Sequence, residues 1–362
     1  VSRFLFCESS SNLGGQELQI LLQMAALRRA GHEALLACPE GSGIAREAAA
    51  RALEWRPVPF RSSLDPSSVV AVRGLIGSRR IEVAFCHSGH DAGVLGLAAR
   101  LVRPRPLIIR VRTYQPGVPK AFGYNRLVDR TLVHSEYMRR RVLANPAIRP
   151  ERVDVLRPLL PLEDFRALAA SPLPGALAER LAGRTSVIVH AAMLRPEKGH
   201  RVALQAIARL KESHAGLLHV IAGAGPEEPA LRQLAAELGL QDAVLFAGLV
   251  MPVYPLLARA DLVIMPSLEE PLGQSQIEAL ALGVPVVVSD AGGLPETVTH
   301  GETGWIAHAG DVEAWRGAIG DALADPQRAR AMAQRGRAFV ERSFAPEAFL
   351  AGLERQLALA RG

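Results

Sequence analysis

Short, continuous apolar runs alternate along the whole chain with stretches whose apolar residues recur at helical spacing. In the first half the runs fall at 4–7, 34–38, 83–86, 107–111, 131–133 and 153–156. The helical patterns there fall at 16–30, 69–78, 91–102 and 135–143. In the second half the runs are 187–190, 217–222, 244–246, 262–265 and 284–289, with helical patterns at 200–213, 229–238, 253–259, 274–281 and 311–323. Runs of Val, Ile and Leu without strict alternation suit strands covered on both faces. Strand–helix alternation predicts doubly wound parallel sheets. Between 159 and 183 Pro158, Pro161, Pro172, Pro174 and Gly175 crowd a stretch with no apolar period, which reads as a linker. The pattern therefore predicts an α/β protein of two Rossmann-like domains facing each other across a cleft. Residues 1–165 form the first and 184–345 the second, with a tail helix over 346–362 returning to the first. The longest apolar run, near Leu280 to Val288, is broken by Gly283 and Pro285, and none reaches the ~18–20 residues of a membrane span.

At 362 residues the chain exceeds what one hydrophobic core usually serves, which agrees with two domains. Its 49% hydrophobic and 22% charged residues exclude a disordered class. Cys7, Cys38 and Cys86 have neither metal-binding nor disulfide spacing, so a reducing, cytoplasmic setting is expected. Val1-Ser2-Arg3 leads straight into an apolar run, so no secretory leader is expected. The net charge of +6 is unevenly spread. Residues 1–160 hold 24 Lys and Arg against 13 Asp and Glu, +11, and the remainder hold 18 against 23, −5. A basic half points to an anionic partner or surface, although an arginine-rich solvated face would look the same.

Ligands of open α/β sheets bind beyond the carboxyl ends of the strands, so the chemistry is sought there. After the first run comes Leu13-Gly14-Gly15-Gln16-Glu17, where glycines before a helix let backbone N–H groups approach a phosphate; an ordinary tight turn has the same look. Gln16 and Gln19 stand where a dinucleotide fingerprint needs glycine, and the loop Gly223 to Glu228 lacks a third glycine, so NAD is weakly supported. His87 follows the third run and can serve a substrate hydroxyl, or cap the next helix. Arg195 and Lys198 lie in a loop before a helix and can neutralise a diphosphate. Glu270, in the loop after 262–265, and Glu278, one turn into the next helix, can hold two sets of sugar hydroxyls.

In order, these segments resemble the retaining glycosyltransferases of the GT-B fold, glycosyltransferase family four. The resemblance runs over nearly the whole chain. It is carried by Gly14 to Glu17, Ala30 to Glu33, His87, Arg195 to Gly199, Ala222 to Glu227, Phe246 to Gly248, Ala260-Asp261, Pro266-Ser267, Glu270 to Glu278, Gly283 to Val287, Gly292 to Glu296 and Gly301 to Trp305. Many relatives place an arginine five residues before the lysine, where this chain has Met193. The arrangement with Arg195 is similar to a subgroup of surface-polysaccharide and lipopolysaccharide enzymes. Arg110-Val111-Arg112-Thr113-Tyr114 resembles that subgroup's Arg-Thr-Arg-His with its end altered.

The resemblance implies a retaining transfer from a nucleotide sugar, a UDP-sugar above all, to a glycan or lipid-linked glycan in cell-surface polysaccharide synthesis. His87, Glu270, Arg195 and Lys198 would be the catalytic set. The donor would touch Gly14, Gly15, Arg195, Lys198, Gly248, Leu272, Gly273, Gln274 and Glu278, and the acceptor Arg110, Arg112 and Tyr114. Glu278 would take the ribose and Glu270 the transferred sugar. No cofactor, metal or nucleic acid is expected. An anionic membrane surface is expected as a further partner: Arg139, Arg140 and Arg141 share a predicted helix with Tyr137, Met138, Val142 and Leu143, which would lie on the inner face of the plasma membrane. A nucleotide-sugar epimerase of the same fold, or a non-catalytic sugar-nucleotide-binding subunit, are the alternatives.

Overall fold

The computed structural model describes residues 1–114 and 117–361. The chain forms two compact units, one of Val1–Leu160 together with the chain from Phe344 on, the other Pro161–Ser343.

The first unit carries a parallel sheet of β1 (Arg3–Cys7), β2 (Glu33–Cys38), β3 (Trp55–Pro57), β4 (Val83–Cys86), β5 (Leu107–Arg112), β6 (Arg130–Val133) and β7 (Val153–Val155). Its strand order is β3-β2-β1-β4-β5-β6-β7. Helices α1 (Gly15–Arg29), α2 (Gly43–Ala50), α3 (Pro66–Ser78), α4 (Gly89–Arg100) and α5 (Glu136–Leu143) make the crossovers. Both faces of the sheet are covered, which is why its strands are apolar without alternation. Phe6 and Phe85 stack at 4.7 Å across neighbouring strands. On the same side, Phe349, Leu353 and Leu357 of the C-terminal helix join the core formed by Ile20, Met24 and Leu36. Each large apolar side chain so buried contributes about 1.5–3 kcal/mol. Of the expected tail helix over 346–362, Gly362 lies outside the described residues.

The second unit opens with α6 (Leu162–Ala169) and α7 (Gly175–Leu181). This corrects the reading of 159–183 as a linker. Pro161 and Pro174 do not break these helices but precede them, at the end where a backbone N–H has no helical partner to lose. Leu162, Phe165 and Leu177 turn inward. The second sheet has β8 (Ser186–Ala191), β9 (Leu217–Ala222), β10 (Val244–Gly248), β11 (Leu262–Met265), β12 (Val286–Ser289) and β13 (Trp305–Ala307), in the order β10-β9-β8-β11-β12-β13. Around it lie α8 (His200–Leu210), α9 (Glu228–Glu237), α10 (Tyr254–Leu257), α11 (Ser275–Ala281), α12 (Val312–Ala324) and α13 (Pro326–Phe344); α14 (Pro346–Arg361) is the C-terminal helix. Both units are thus Rossmann-like, as expected.

The predicted membrane-facing helix packs otherwise. Met138 and Val142 of α5 are buried with Tyr124, Val133, Ile148 and Val153, and Tyr137 and Leu143 pack against the same cluster. With its apolar residues turned inward, α5 has no apolar face left for a bilayer, only its arginines. Among the described residues no helix is long and apolar enough to cross a membrane.

Candidate functional site

In each unit the strand order reverses at one point, between β1 and β4 in the first and between β8 and β11 in the second. Crossovers diverge there to opposite faces, leaving a crevice at the carboxyl edge. The candidate residues gather at these two crevices.

In the first unit β1 delivers Glu8 and the turn into α1, where Glu17 accepts the Gly14 N–H at 2.8 Å. Gly14 and Gly15 are exposed at the start of α1, so the helix end faces outward. His87, which follows β4, is 2% exposed. It does not cap α4; Ser88 and Asp91 do. Its Nδ1 lies 3.3 Å from the Cys7 carbonyl. A carbonyl oxygen only accepts, so Nδ1 carries the proton. Burial pushes the pKa of His87 down, and a neutral ring then presents Nε2 as an acceptor. Among the described residues no partner occupies Nε2.

Glu8 and Asp91 stand beside this ring, and the three residues' potential ligand atoms lie within 4.8 Å of one another. Burial, then the charge of Asp91, pushes the Glu8 carboxyl up to about 7. Its oxygens accept from Ser10 N and Gln16 Nε2, and those of Asp91 from the N–H groups of His87, Ser88 and Ala92. With all four oxygens engaged, the trio is a hydrogen-bonded frame for His87 rather than an open ligand set. Glu8 was missed in the sequence, although an acid just after the first strand was a usable signal. From β5, Arg112 donates to the His87 carbonyl at 3.3 Å, Arg110 lies buried beside it, and Tyr114 is 52% exposed.

In the second unit β8 runs into Arg195 and Lys198. Lys198 Nζ donates to Glu270 Oε2 at 2.7 Å, and Ser267 Oγ to the same oxygen at 3.3 Å. Two groups that the resemblance gives to different parts of a donor therefore hold one another. The closeness depends on two glycines in the left-handed region. A Cβ at Gly199 (φ +70°) would stand 1.8 Å from Pro266 O, and one at Gly292 (φ +63°) 2.0 Å from Glu270 O. Glu270 is 7% exposed, whereas Arg195 is exposed and, among the described residues, has no side-chain acceptor.

Glu278, in the first turn of α11, is half-buried and, among the described residues, has no hydrogen-bond partner. Burial alone pushes it up to about 7. Burial first, and then the charge of Glu278, push up the pKa of Tyr254, which sequence reasoning also missed. Leu272 and Gly273 are buried and Gln274 exposed along the connection to α11. Gly248 ends β10 at a register shift, with φ +66°. The expected donor residues thus divide, with Gly14, Gly15 and His87 on the first unit's crevice and the others on the second unit.

Comparison with known proteins matches residues 178–339 to the model for glycosyl transferases group 1 and residues 13–164 to that for glycosyltransferase family 4. A GDP-mannose-dependent alpha-(1-6)-phosphatidylinositol monomannoside mannosyltransferase of Mycolicibacterium smegmatis is 32% identical over 331 residues, covering 84% of this chain and 85% of its own. Among solved structures, a Rickettsia africae glycosyltransferase superposes with a TM-score of 0.84 at 18% identity, covering 99% of this chain and 98% of its own. Anabaena HepE in complex with UDP gives 0.80 at 20%, covering 98% and 99%.

Proposed function

The chain belongs to glycosyltransferase family 4, and from that premise we propose that it moves a sugar, with retention, from a nucleoside-diphosphate sugar to a hydroxyl of a glycan or lipid-linked glycan. The product would enter a cell-surface polysaccharide or lipopolysaccharide. The observation that carries this is the pairing of Lys198 with Glu270 at the second unit's strand reversal, with the exposed Arg195 three residues before the lysine. Cations there are placed for a diphosphate, and a carboxylate held by one of them is placed for sugar hydroxyls.

In this reading Arg195 and Lys198 neutralise the charge that grows on the diphosphate as the sugar leaves. Fixed cations placed where charge develops lower the barrier without reorganising. Glu270 and the backbone at Leu272, Gly273 and Gln274 hold the sugar, Glu278 the ribose, and the turn at Gly248 the base. Gly14 and Gly15 bring backbone N–H groups to the phosphates. His87 accepts a hydrogen bond from a hydroxyl of the transferred sugar at Nε2, on a ring that the Cys7 carbonyl holds, and Asp91 accepts the backbone N–H of the same residue. The acceptor, held by Arg110, Arg112 and Tyr114, attacks on the face the diphosphate leaves and passes its proton to that phosphate. The protein's part is positioning and electrostatics.

The Mycolicibacterium relative is named for GDP-mannose and HepE was solved with UDP, so either base is a candidate donor. We place the reaction in the cytoplasm, at an anionic membrane surface met through the arginines of the first unit. The test is a thermal-shift screen of UDP, GDP, ADP and their sugars, followed by product analysis with and without acceptor. A ligand at ~100 times its Kd stabilises by ~2.7 kcal/mol. Stabilisation by one nucleoside diphosphate and an acceptor-dependent α-linked product are expected. Sugar interconversion without acceptor, or no nucleotide binding at all, would overturn the reading.

A further inference from the structure

Arg110, on β5, is 8% exposed, and its Nε is enclosed with no hydrogen-bond partner. Among the described residues no carboxylate pairs with its guanidinium. The contact it has is the ring of Tyr124, with Cζ 5.0 Å from the centroid. An aromatic face offsets only part of what it costs to take a charge out of water. Arg130, on the adjacent strand and equally buried, shows what the fold does with a structural arginine: it pairs with Asp154 and donates to Gln356. Arg110 has been given no such acid.

Its surroundings add positive charge. Arg112, two residues on, projects from the same face of β5. Burial first, then the charge of Arg110, pull the pKa of Arg112 down. The nearby acids do not bond to Arg110: the oxygens of Glu8 and Asp91 are taken by Gln16 and backbone N–H groups, and Asp91 acts on Arg112 through its charge. Arg110 sits opposite Cys86 in the sheet register, one residue before His87, so the two guanidiniums stand at the crevice.

We infer that Arg110 and Arg112 form an oxyanion subsite, and that the molecule receiving the sugar carries a phosphate ester or carboxylate which docks there. The word acceptor rests on the transferase reading; the anion site does not. A bound oxyanion would fill the planar fork of Arg110, relieve the repulsion between the two guanidiniums and supply the missing counter-charge.

The site can be tested with inorganic phosphate. Calorimetric titration into the full chain, saturated with whichever of UDP or GDP stabilises it, should show binding that weakens about tenfold or more in Arg110→Gln, the loss of a charged hydrogen bond. Arg110→Lys should keep part of it, and thermal melting checks that each variant is folded. Soluble inositol 1-phosphate and phosphatidylinositol vesicles then separate a free phosphate ester from a lipid headgroup, and Arg110-dependent binding of either supports the site. No phosphate binding to the unaltered protein, or binding unchanged in Arg110→Gln, overturns it. If neither nucleotide binds, the transferase reading fails, while the phosphate titration without nucleotide still decides the anion site.

Discussion

Lys198 and Glu270 stand 72 residues apart in the chain and 2.7 Å apart in space. Removing the lysine takes away a charge that matters most when the diphosphate departs, so Lys198→Ala should lower turnover roughly 100-fold and donor affinity much less. Steady-state kinetics decide this; turnover near that of the unaltered chain would refute the role. In the proposed mechanism Arg195 and Lys198 take the place of a divalent ion, so transfer should continue in EDTA, and a loss restored by magnesium would count against it. Glu278 gives a sharper signature. Its folded pKa of about 7 lies above its ordinary value of 4.5, so the folded state binds the extra proton between those values. Stability from this group is complete below about pH 4.5 and lost as pH rises through 7. Glu278→Gln should therefore raise stability at pH 8 by on the order of 2 kcal/mol, leave it unchanged at pH 4, and weaken nucleoside diphosphate binding. A residue whose removal stabilises the fold and harms binding is one retained for function. If Glu278→Gln left both quantities unmoved, the ribose assignment would fall.

Among the elements, the strands were legible because burial on both faces writes continuous apolar runs. The three-residue edge strands β3 and β13 were missed, being too short to make a run. Helix α13 was missed because the inward positions of its first half, Ala329 and Ala333 beside Met332, are mostly small, and its surface is arginine-rich. At the carboxyl end of β8 and in the neighbouring β9 and α8, three histidines meet. The ring of His190 is 4.0 Å from that of His200 and 6.4 Å from that of His219. All three are buried, and both ring nitrogens of His190 lack partners. Burial pushes His200 to about 4, His219 to about 3 and His190 down as well. The unfolded chain takes up their protons first, so the stability they contribute is present above about pH 6.5 and lost as pH falls below it. In His190→Leu the acid loss should be smaller than in the parent by about 2 kcal/mol between pH 7.5 and 5, read by urea denaturation at both pH values. Parallel pH profiles would show that folded His190 takes up its proton as readily as the unfolded residue, and would refute the effect.

At the scale of the whole molecule, charge remains the main clue to location. The +11 of residues 1–160 stands against −5 for the rest, and α5 contributes arginines without an apolar face. Attachment to a bilayer would then be electrostatic, worth about 1 kcal/mol per cation near the surface and screened by salt. The full chain should co-sediment with anionic vesicles at low salt, detach at roughly 0.5 M salt, where the Debye length is only about 4 Å, and ignore neutral vesicles throughout. Salt-resistant binding would mean apolar insertion through some other surface. The sequence by itself determined the alternation of strand and helix, the two-unit plan, the split of charge and the loops in which the chemistry sits. These are local properties: period, turn chemistry and composition are written within a few residues of where they act. Only the tertiary structure decided the strand order that opens a crevice beside β8 and β11, the pairing of Lys198 with Glu270, the frame of Glu8 and Asp91 around His87, and the burial of Arg110 without an acid. Those depend on distance and desolvation between residues far apart in the chain, and both arise only when the sheets close.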